Sequence, residues 1–328
     1  MGPLRNPEPH GALWLYTSDT QRTPQRITFA GYPDGHDFHP LGLQVWPSHG
    51  GRESNLYVIN HARQRTFIEH FVLDPAQPTV ARHVRTIASP YFLSPNSLAL
   101  TSPHSFFLTN DHLFTRRIPV LGHVLPIIES ILSLPFGYVL HVTLSPDTQP
   151  TILNVSLPIP FVPFANGIAL SPDGSTLALA SSSIAQVRLY DRTPATNTLT
   201  RRAHTINLPF AADNLHYSDD GTLFVAGHPH FPSLIQLADN KTDVAPSWAV
   251  AIPPLSSEGF VPPAEYDLDA PTSLSGLVPG TPGMMTVFQS DGQGFSSAAT
   301  ALRDDATGAL YVTGLYAEKG FIVCRPSA

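Results

Sequence analysis

The stretch Asn166-Gly-Ile-Ala-Leu-Ser-Pro-Asp-Gly-Ser-Thr-Leu-Ala-Leu-Ala, residues 166–180, decides the fold class of this chain. A short apolar strand runs into the tight turn Pro172-Asp-Gly, and a second apolar strand follows the turn. The segment Ala185-Gln-Val-Arg-Leu-Tyr-Asp then supplies a third strand. This order of strands and turns predicts an antiparallel sheet built from residues that are consecutive in sequence.

Four further copies of this unit lie in the chain. Clear copies begin at Asn214 and Ala299, and weaker copies begin at Leu41 and Asn96. Neighbouring copies start about 48 to 85 residues apart, a range typical of four-stranded propeller blades that carry insertions. Because one such sheet cannot bury both of its faces, we expect the copies to stack around an axis.

The repeat pattern predicts an all-β fold, a six-bladed β-propeller formed by one domain over residues 1–328. Its first blade should be incomplete, because only the short strands Gly11–Tyr16 and Arg26–Ala30 precede the copy at Leu41. An extended β-sandwich is the structural alternative. The 34 prolines and 22 glycines are dispersed, which favours many short strands over long helices.

Composition narrows the functional classes. Of the 328 residues, 42% are hydrophobic and 13% are charged, which excludes a disordered chain. The net charge of −7 provides no basic surface, so we expect no nucleic-acid partner. The single cysteine, Cys324, cannot form an intrachain disulfide. No apolar leader segment stands at the start of the sequence and no run is long enough for a transmembrane helix, so composition leaves the localisation open.

Residues 118–134 interrupt the strand pattern. This run is apolar, and Ile127, Ile128, Ile131 and Leu132 have the spacing of one helix face. We therefore expect one short helical insertion here. Such a helix could cover the mouth of the propeller as a lid, or it could make peripheral contact with a membrane surface. The absence of Lys and Arg from the run favours the lid.

Polar residues stand at the start of three repeat copies, at Asn96, at Asn166 and at the pair Asp213-Asn214. In a propeller the first strand of each blade lines the central channel, so equivalent positions converge although they are far apart in sequence. Amide and carboxylate oxygens suit calcium, whereas zinc would use His and Cys. Capping of an Asx turn at each strand start is the competing explanation. The occurrence of Asn or Asp at the same position of three repeat copies favours a metal over capping.

Several segments of the chain resemble the serum paraoxonases and their fungal relatives, from about Asp37 to Cys324. The matching segments, in the same order and spacing, are Phe38-His-Pro-Leu-Gly, Leu56-Tyr-Val-Ile-Asn-His, Phe107-Leu-Thr-Asn-Asp-His-Leu-Phe, Phe164-Ala-Asn-Gly-Ile-Ala-Leu-Ser-Pro-Asp, Ala212-Asp-Asn-Leu and Val225-Ala-Gly-His-Pro. The resemblance implies a calcium-dependent hydrolase of lactones and aryl esters.

The resemblance also implies roles for individual residues. Four residues match the ligands of a catalytic calcium, and two stand where a second, structural calcium is bound. Others match active-site histidines and a pocket residue. The residues are Asn96, Asn166, Asp213 and Asn214 for the catalytic calcium; Leu43, through its carbonyl, and Ser97 for the structural one; His61 and His112 as catalytic residues; Phe164 and His228 in the substrate pocket.

The chain departs from this family pattern at identifiable positions. Leu41 stands where the family has the first histidine of a dyad, and His61 is the second. His39, two residues before Leu41, is a candidate to take the place of the first histidine. The family's Glu-Asp pair, one acid for each calcium, would fall near or before residue 4, and so would the cysteine that pairs with Cys324. We therefore expect the N-terminus to be truncated relative to the family.

These observations predict a monomeric, calcium-dependent arylesterase or lactonase that acts on a small ester or lactone. The missing acid pair and the presence of Leu41 in place of a histidine favour an alternative. In that alternative the propeller has lost catalysis and serves as a binding or structural module. A sugar-lactone hydrolase or a protein similar to strictosidine synthase is a third interpretation.

Overall fold

The computed structural model describes residues 10–17, 23–146, 151–254 and 283–325. The chain divides into two compact units, Met1–Val162 and Pro163–Ala328. Nearly all of the regular structure in both units is antiparallel β-sheet between strands that are consecutive in sequence, as the repeat pattern predicts.

The first unit begins with short strands and continues into a five-stranded sheet. Strands β1 (Trp14–Leu15) and β2 (Gln25–Arg26) pair only with each other. The five-stranded sheet has the order β3-β7-β6-β5-β4 and is formed by β3 (Thr28–Ala30), β4 (Pro40–Trp46), β5 (Ser54–Asn60), β6 (Phe67–Leu73) and β7 (Val80–Ile87). Strand β3 pairs in parallel with the start of β7, whereas the other four strands form an antiparallel meander.

A second sheet completes the first unit. It contains β8 (Pro95–Ser102), β9 (Ser105–Asn110), β10 (Gly137–Leu144) and β11 (Ile152–Val162) in consecutive order. Between β9 and β10 lie a 3₁₀ turn, Leu121–His123, and helix α1, Leu125–Ile131. The predicted helical insertion within 118–134 is therefore confirmed. Among the described residues no helix is long and apolar enough to cross a membrane.

The second unit contains three sheets. The first is formed by β12 (Ala165–Leu170), β13 (Thr176–Ser181), β14 (Gln186–Thr193) and β15 (Thr198–Asn207); the second by β16 (Ala211–Tyr217), β17 (Leu223–His228), β18 (Ser247–Ile252) and β19 (Met285–Ser290); the third by β20 (Ala298–Arg303), β21 (Leu310–Gly314) and β22 (Phe321–Cys324). A 3₁₀ turn, Ser182–Ile184, precedes β14, and helix α2, Phe231–Ala238, follows β17.

These are the sheets of an all-β propeller, but the described residues form five blades and the prediction of six is wrong. Each of the five repeat copies found in the sequence supplies the first strand of one sheet, namely β4, β8, β12, β16 and β20. The residues before β4 were expected to start a further blade. Those of them that the structure describes, residues 10–17 and 23–39, form the β1–β2 pair and the strand β3, which adds to an existing sheet, and they do not complete a sixth blade.

Apolar side chains fill the space between neighbouring sheets within each unit. In the first unit the cluster includes Tyr57, Ile59, Phe106 and Leu108, all from the alternating central strands β5 and β9. In the second unit the largest cluster surrounds Trp248, whose ring is 1% exposed. Burial of such side chains contributes about 1.5–3 kcal/mol each and fixes the spacing between the first strands of neighbouring sheets.

Two glycines bring those first strands into direct contact. A Cβ on Gly42 of β4 would lie 2.4 Å from the carbonyl oxygen of Asn96 on β8. A Cβ on Gly167 of β12 would lie 2.5 Å from the carbonyl oxygen of Asp213 on β16. Because each contact is with backbone, only glycine fits at these positions, and the polar residues predicted to bind calcium are placed by them.

Candidate functional site

The four predicted calcium ligands are distributed over both units. Asn96 lies at the start of β8 in the first unit, and Asn166, Asp213 and Asn214 lie at the starts of β12 and β16 in the second. The structure thus brings three of the four together on adjoining strands of one unit.

Asn166 presents an oxygen without a hydrogen-bond partner. Its side chain is 5% exposed, and its Nδ2 donates to Ser182 Oγ at 2.9 Å. The Ser182 hydroxyl in turn donates to the backbone carbonyl of Ala212. The Asn166 Oδ1 is buried and accepts no hydrogen bond within the part of the chain that the structure describes. Since an unsatisfied buried amide oxygen is costly, this atom fits a cation ligand.

Asp213 forms a buried pair with His228 of the neighbouring strand. His228 Nε2 lies 3.0 Å from Asp213 Oδ2, and both side chains are largely buried. When the Asp213 carboxylate is ionised, Nε2 carries the proton and donates, which leaves Nδ1 of a neutral ring as an acceptor. That Nδ1 is buried without a hydrogen-bond partner among the described residues, so it can receive a proton or a donor group.

Asn214 and Phe164 are the other predicted site residues of this unit. Asn214 Nδ2 donates to Thr300 Oγ1 at 3.0 Å, which links β16 to β20. Phe164, the predicted pocket residue, is 8% exposed and has a φ of 48° in the left-handed region. Its carbonyl accepts the backbone N–H of Ser182 at 3.1 Å. For a bulky side chain such a conformation is strained, and strained residues cluster at functional sites.

In the first unit Asn96 contacts an acid that follows β9. Asn96 Nδ2 donates to Asp111 Oδ2 at 3.3 Å, and Asp111 Oδ1 lies 2.9 Å from His112 Nδ1. Burial alone would raise the pKa of the Asp111 carboxyl, but the contacts with His112 and Asn96 help to hold that pKa below its usual range. Asp111 is therefore a carboxylate that orients His112.

His61, a predicted catalytic histidine, directly follows β5 and is 6% exposed. Its Nδ1 lies 2.9 Å from Thr66 Oγ1, which also accepts a hydrogen bond from Arg117 at 3.1 Å. Burial, with a smaller effect from the Arg117 cation, lowers the pKa of His61 to about 3. A general base works best when its pKa lies near the working pH. This environment favours a binding or packing role for His61.

The residues assigned to a structural calcium lie on β4 and β8. Leu43 pairs with Val58 and is half exposed, and the backbone of Ser97 is bonded to the Thr109 hydroxyl. Leu41, which replaces the first dyad histidine, is also exposed. The expected Glu-Asp pair falls before residue 10, outside the described residues, and Cys324 is a free thiol. A second calcium stays a prediction.

Three residues that support the histidines were missed at the sequence level. Arg117 donates to the Ala62 carbonyl at 2.7 Å beside His61. Ser130 Oγ lies 2.7 Å from His112 Nε2, and the buried Glu129 accepts the backbone N–H groups of residues 113 and 114. The polar pair Glu129-Ser130 within the otherwise apolar helix α1 is a signal for those two residues, whereas Arg117 has no such signal in the sequence.

Histidine, cysteine and acidic side chains do not by themselves form a metal centre. Over residues 10–17, 23–146, 151–254 and 283–325, no three of them come together in a group that could hold a metal ion. The donor set around Asn166 and Asp213 is mainly amide with one carboxylate, which suits a hard cation such as calcium and not zinc.

A family model and several curated relatives match most of the chain. The family model described as Arylesterase matches residues 5–259. Human serum paraoxonase/arylesterase 2 is 23% identical over 315 residues, which cover 95% of this chain and 77% of the relative. Human serum paraoxonase/arylesterase 1 is 27% identical over 201 residues, 60% of this chain. That match spans about half of the relative's length, 51%.

A solved structure supports the fold alone. The periplasmic gluconolactonase of Pseudomonas aeruginosa superposes with a TM-score of 0.51 and 14% sequence identity, covering 93% of this chain and 70% of the other. At that identity the similarity confirms a propeller architecture and carries no residue roles.

Proposed function

Because the chain belongs to the arylesterase family, we propose that it is a calcium-dependent hydrolase of aryl esters and lactones. The observation that carries the proposal is the pairing of Asp213 with His228 beside the unpartnered Oδ1 of Asn166. Together they provide the Asp213 carboxylate near the start of β16, the His228 Nδ1 at the end of β17 and the Asn166 Oδ1 near the start of β12. The last two atoms have no hydrogen-bond partner among the described residues.

The residues that would hold calcium in this unit are Asn166, Asp213 and Asn214. Amide and carboxylate oxygens are the ligands that calcium prefers, and the ion accepts six to eight of them. A ligand role for Asn96 stays a prediction from the sequence. When bound, calcium would supply Lewis-acid polarisation of the ester or lactone carbonyl.

His228 is the residue best placed to move a proton. Its Nε2–H is oriented by Asp213, and its Nδ1 is a buried acceptor that has no hydrogen-bond partner among the described residues. A histidine oriented by a carboxylate is a common general base in hydrolases. Phe164 would pack against the apolar part of the substrate, and His61 would contribute as a neutral pocket residue, since its pKa of about 3 keeps it uncharged near neutral pH.

The metal is tested by thermal unfolding with and without chelator. We expect EDTA to lower the melting temperature of the wild-type protein and Asp213→Ala to remove this response. Asp191→Ala is the matched control, because Asp191 is an exposed partner of Arg202 in the same unit. An unchanged wild-type melting temperature in chelator would contradict the calcium proposal.

The activity is tested with phenyl acetate and with γ- and δ-lactones, each with and without calcium. His228→Gln should lower turnover about 100-fold or more, since general-base catalysis contributes 10²–10⁴-fold. His61→Gln should change turnover much less. A protein that is stabilised by calcium but hydrolyses none of these substrates would instead be a binding module.

The exposed side chains of 118–134 favour an additional role, peripheral contact with a lipid surface. Val120 is 90% exposed, Ile131 70% and Leu132 62%. A concentration of exposed large apolar side chains in one short segment is typical of a surface that contacts a partner or a membrane. Sedimentation with phosphatidylcholine vesicles, compared between the wild type and Ile131→Ser, tests the contact; equal sedimentation would contradict it.

A further inference from the structure

Three side chains of the first unit form a chain of hydrogen-bonded groups that the calcium proposal does not use. Asp111 and His112 directly follow β9, and Ser130 lies on α1. Asp111 Oδ1 is 2.9 Å from His112 Nδ1, and His112 Nε2 is 2.7 Å from Ser130 Oγ. A carboxylate, an imidazole and a serine hydroxyl in this order are the groups of a serine nucleophile with its base.

Burial determines how the protons are arranged along this chain. Asp111 is 2% exposed and His112 is fully buried. The Asp111 Oδ1 is an acceptor 2.9 Å from His112 Nδ1, so His112 Nδ1 carries the proton that faces it. In a neutral ring the other nitrogen, Nε2, is then an acceptor, and the Ser130 hydroxyl lies within hydrogen-bond distance of it.

The Ser130 hydroxyl has a second acceptor, the Pro126 carbonyl at 2.9 Å. A hydroxyl has one proton, so it donates to Pro126 or to His112 but not to both. The bond to Pro126 is a local helix bond and belongs to the resting arrangement. Rotation of the proton toward His112 Nε2 requires no movement of heavy atoms and gives the arrangement of a serine activated by a base.

The position of the serine is fixed by its neighbour Glu129. This carboxylate is 2% exposed and accepts the backbone N–H groups of Leu113 and Phe114 at 3.0 and 3.1 Å. These bonds attach the helix to the segment that follows His112, so the short distance from Ser130 to His112 is held from both ends.

Ser130 also lies where a ligand can approach. It stands between the buried face of α1, which includes Pro126 and Glu129, and the exposed face, where Ile127 and Ile131 are 42% and 70% exposed. An ester with an apolar acyl group could therefore lie against these isoleucines while its carbonyl carbon reaches the hydroxyl.

We propose that Ser130 is an activated serine that accepts an acyl or phosphonyl group from activated esters and fluorophosphonates. Ser130 Oγ forms a bond to the carbonyl carbon or to phosphorus, and the bond to the leaving alkoxide, phenolate or fluoride breaks. The serine proton passes to His112 Nε2 and from there to the leaving group. The substrate class is an activated ester with an apolar acyl or alkyl group.

The test is covalent labelling of the full chain with an alkyl fluorophosphonate, followed by mass spectrometry, in EDTA so that calcium chemistry is absent. We expect one adduct per chain on Ser130, none in Ser130→Ala, and an unchanged amount in Ser133→Ala, the matched control three residues further along. His112→Gln should slow labelling about 100-fold, because it removes the base.

Two results would overturn the proposal. One is an unlabelled Ser130 in wild-type protein shown by circular dichroism to be folded. The other is labelling of Ser130 at the same rate in His112→Gln, which would mean that the imidazole does not activate it. Since all measurements are made in EDTA, neither result bears on the calcium-dependent hydrolase.

Discussion

Gly167→Ala should displace the start of β16, where Asp213 and Asn214 lie. The added Cβ would be 2.5 Å from the Asp213 carbonyl oxygen, 2.7 Å from the Asn214 Cα and 2.9 Å from the Leu215 nitrogen. All three atoms belong to the backbone of one strand. No side-chain rotation can therefore relieve the overlap, and the two strands must separate.

The size of the effect follows from these distances. Ordinary contact for a Cβ begins near 3.4 Å, so the closest pair must move apart from 2.5 Å by roughly 0.9 Å. Overpacking of this kind typically costs about 1–3 kcal/mol. A misplacement of about 1 Å in groups that position a substrate can lower the rate about 100-fold.

The assay compares melting temperature, its response to calcium and turnover of phenyl acetate in the wild type and two variants. Gly294→Ala is the matched control, because its Cβ would meet only Ser290 Oγ at 3.8 Å. We expect Gly167→Ala to melt several degrees lower and to lose the calcium response, and the control to match the wild type. A Gly167→Ala protein as stable as the control would refute the reasoning that these strands touch through Gly167.

Three further predictions concern buried polar groups of the first unit. Burial lowers the pKa of His70 from 6.5 to about 3. As the pH falls, the unfolded chain therefore takes up a proton before the folded protein does. The contribution to the free energy of unfolding is present above pH 6.5 and falls by about 2 kcal/mol between pH 7 and pH 5. Urea unfolding at both pH values should show a smaller loss for His70→Phe, and an equal loss would contradict this assignment. Glu129→Ala leaves the N–H groups of residues 113 and 114 without their acceptor, so it should lower the free energy of unfolding in urea by about 1–3 kcal/mol. Glu129→Gln should lie closer to the wild type. Equal stability of all three proteins would count against the anchoring role of this carboxylate. Glu69 accepts hydrogen bonds from Asn60 and Thr86 at 2.9 and 2.7 Å. Because Glu69→Gln places an N–H₂ group among these donors, it should lower the melting temperature by several degrees. An unaltered melting temperature would contradict this prediction.

The repeat copies predicted the fold because the signal is local. Each copy combines an alternating strand, a turn and a more apolar strand, and each supplies the first strands of one sheet. The number of blades was overestimated because strand propensity does not specify partners. Residues 28–30 form a strand as expected, but they pair in parallel with Val80–Arg82, and no local pattern encodes a contact across fifty residues.

The sequence pattern identified only those residues of the candidate site that lie within the repeat copies. Asn166, Asp213 and Asn214 were identified because they occupy the same position in successive repeat copies. The contact between Ser130 and His112 joins helix α1 to the residue pair after β9, eighteen residues earlier. Because α1 is not part of the repeat, the repeat pattern does not predict this contact. Likewise the depressed pKa of His61 arises from burial and from Arg117, which is distant in sequence.

The parallel strand β3 bears on how this protein behaves at high concentration. The outer strand of a blade has a row of unpaired backbone groups that can add a strand from another molecule. Here β3 occupies that row along the start of β7. The outer strand β11 carries Pro158 and Pro160, which lack N–H donors, and the outer strand β15 carries adjacent charges at Arg201 and Arg202. Three edges are thus closed to intermolecular β-pairing by three different means, so removal of residues 23–30 should expose one of them and promote aggregation.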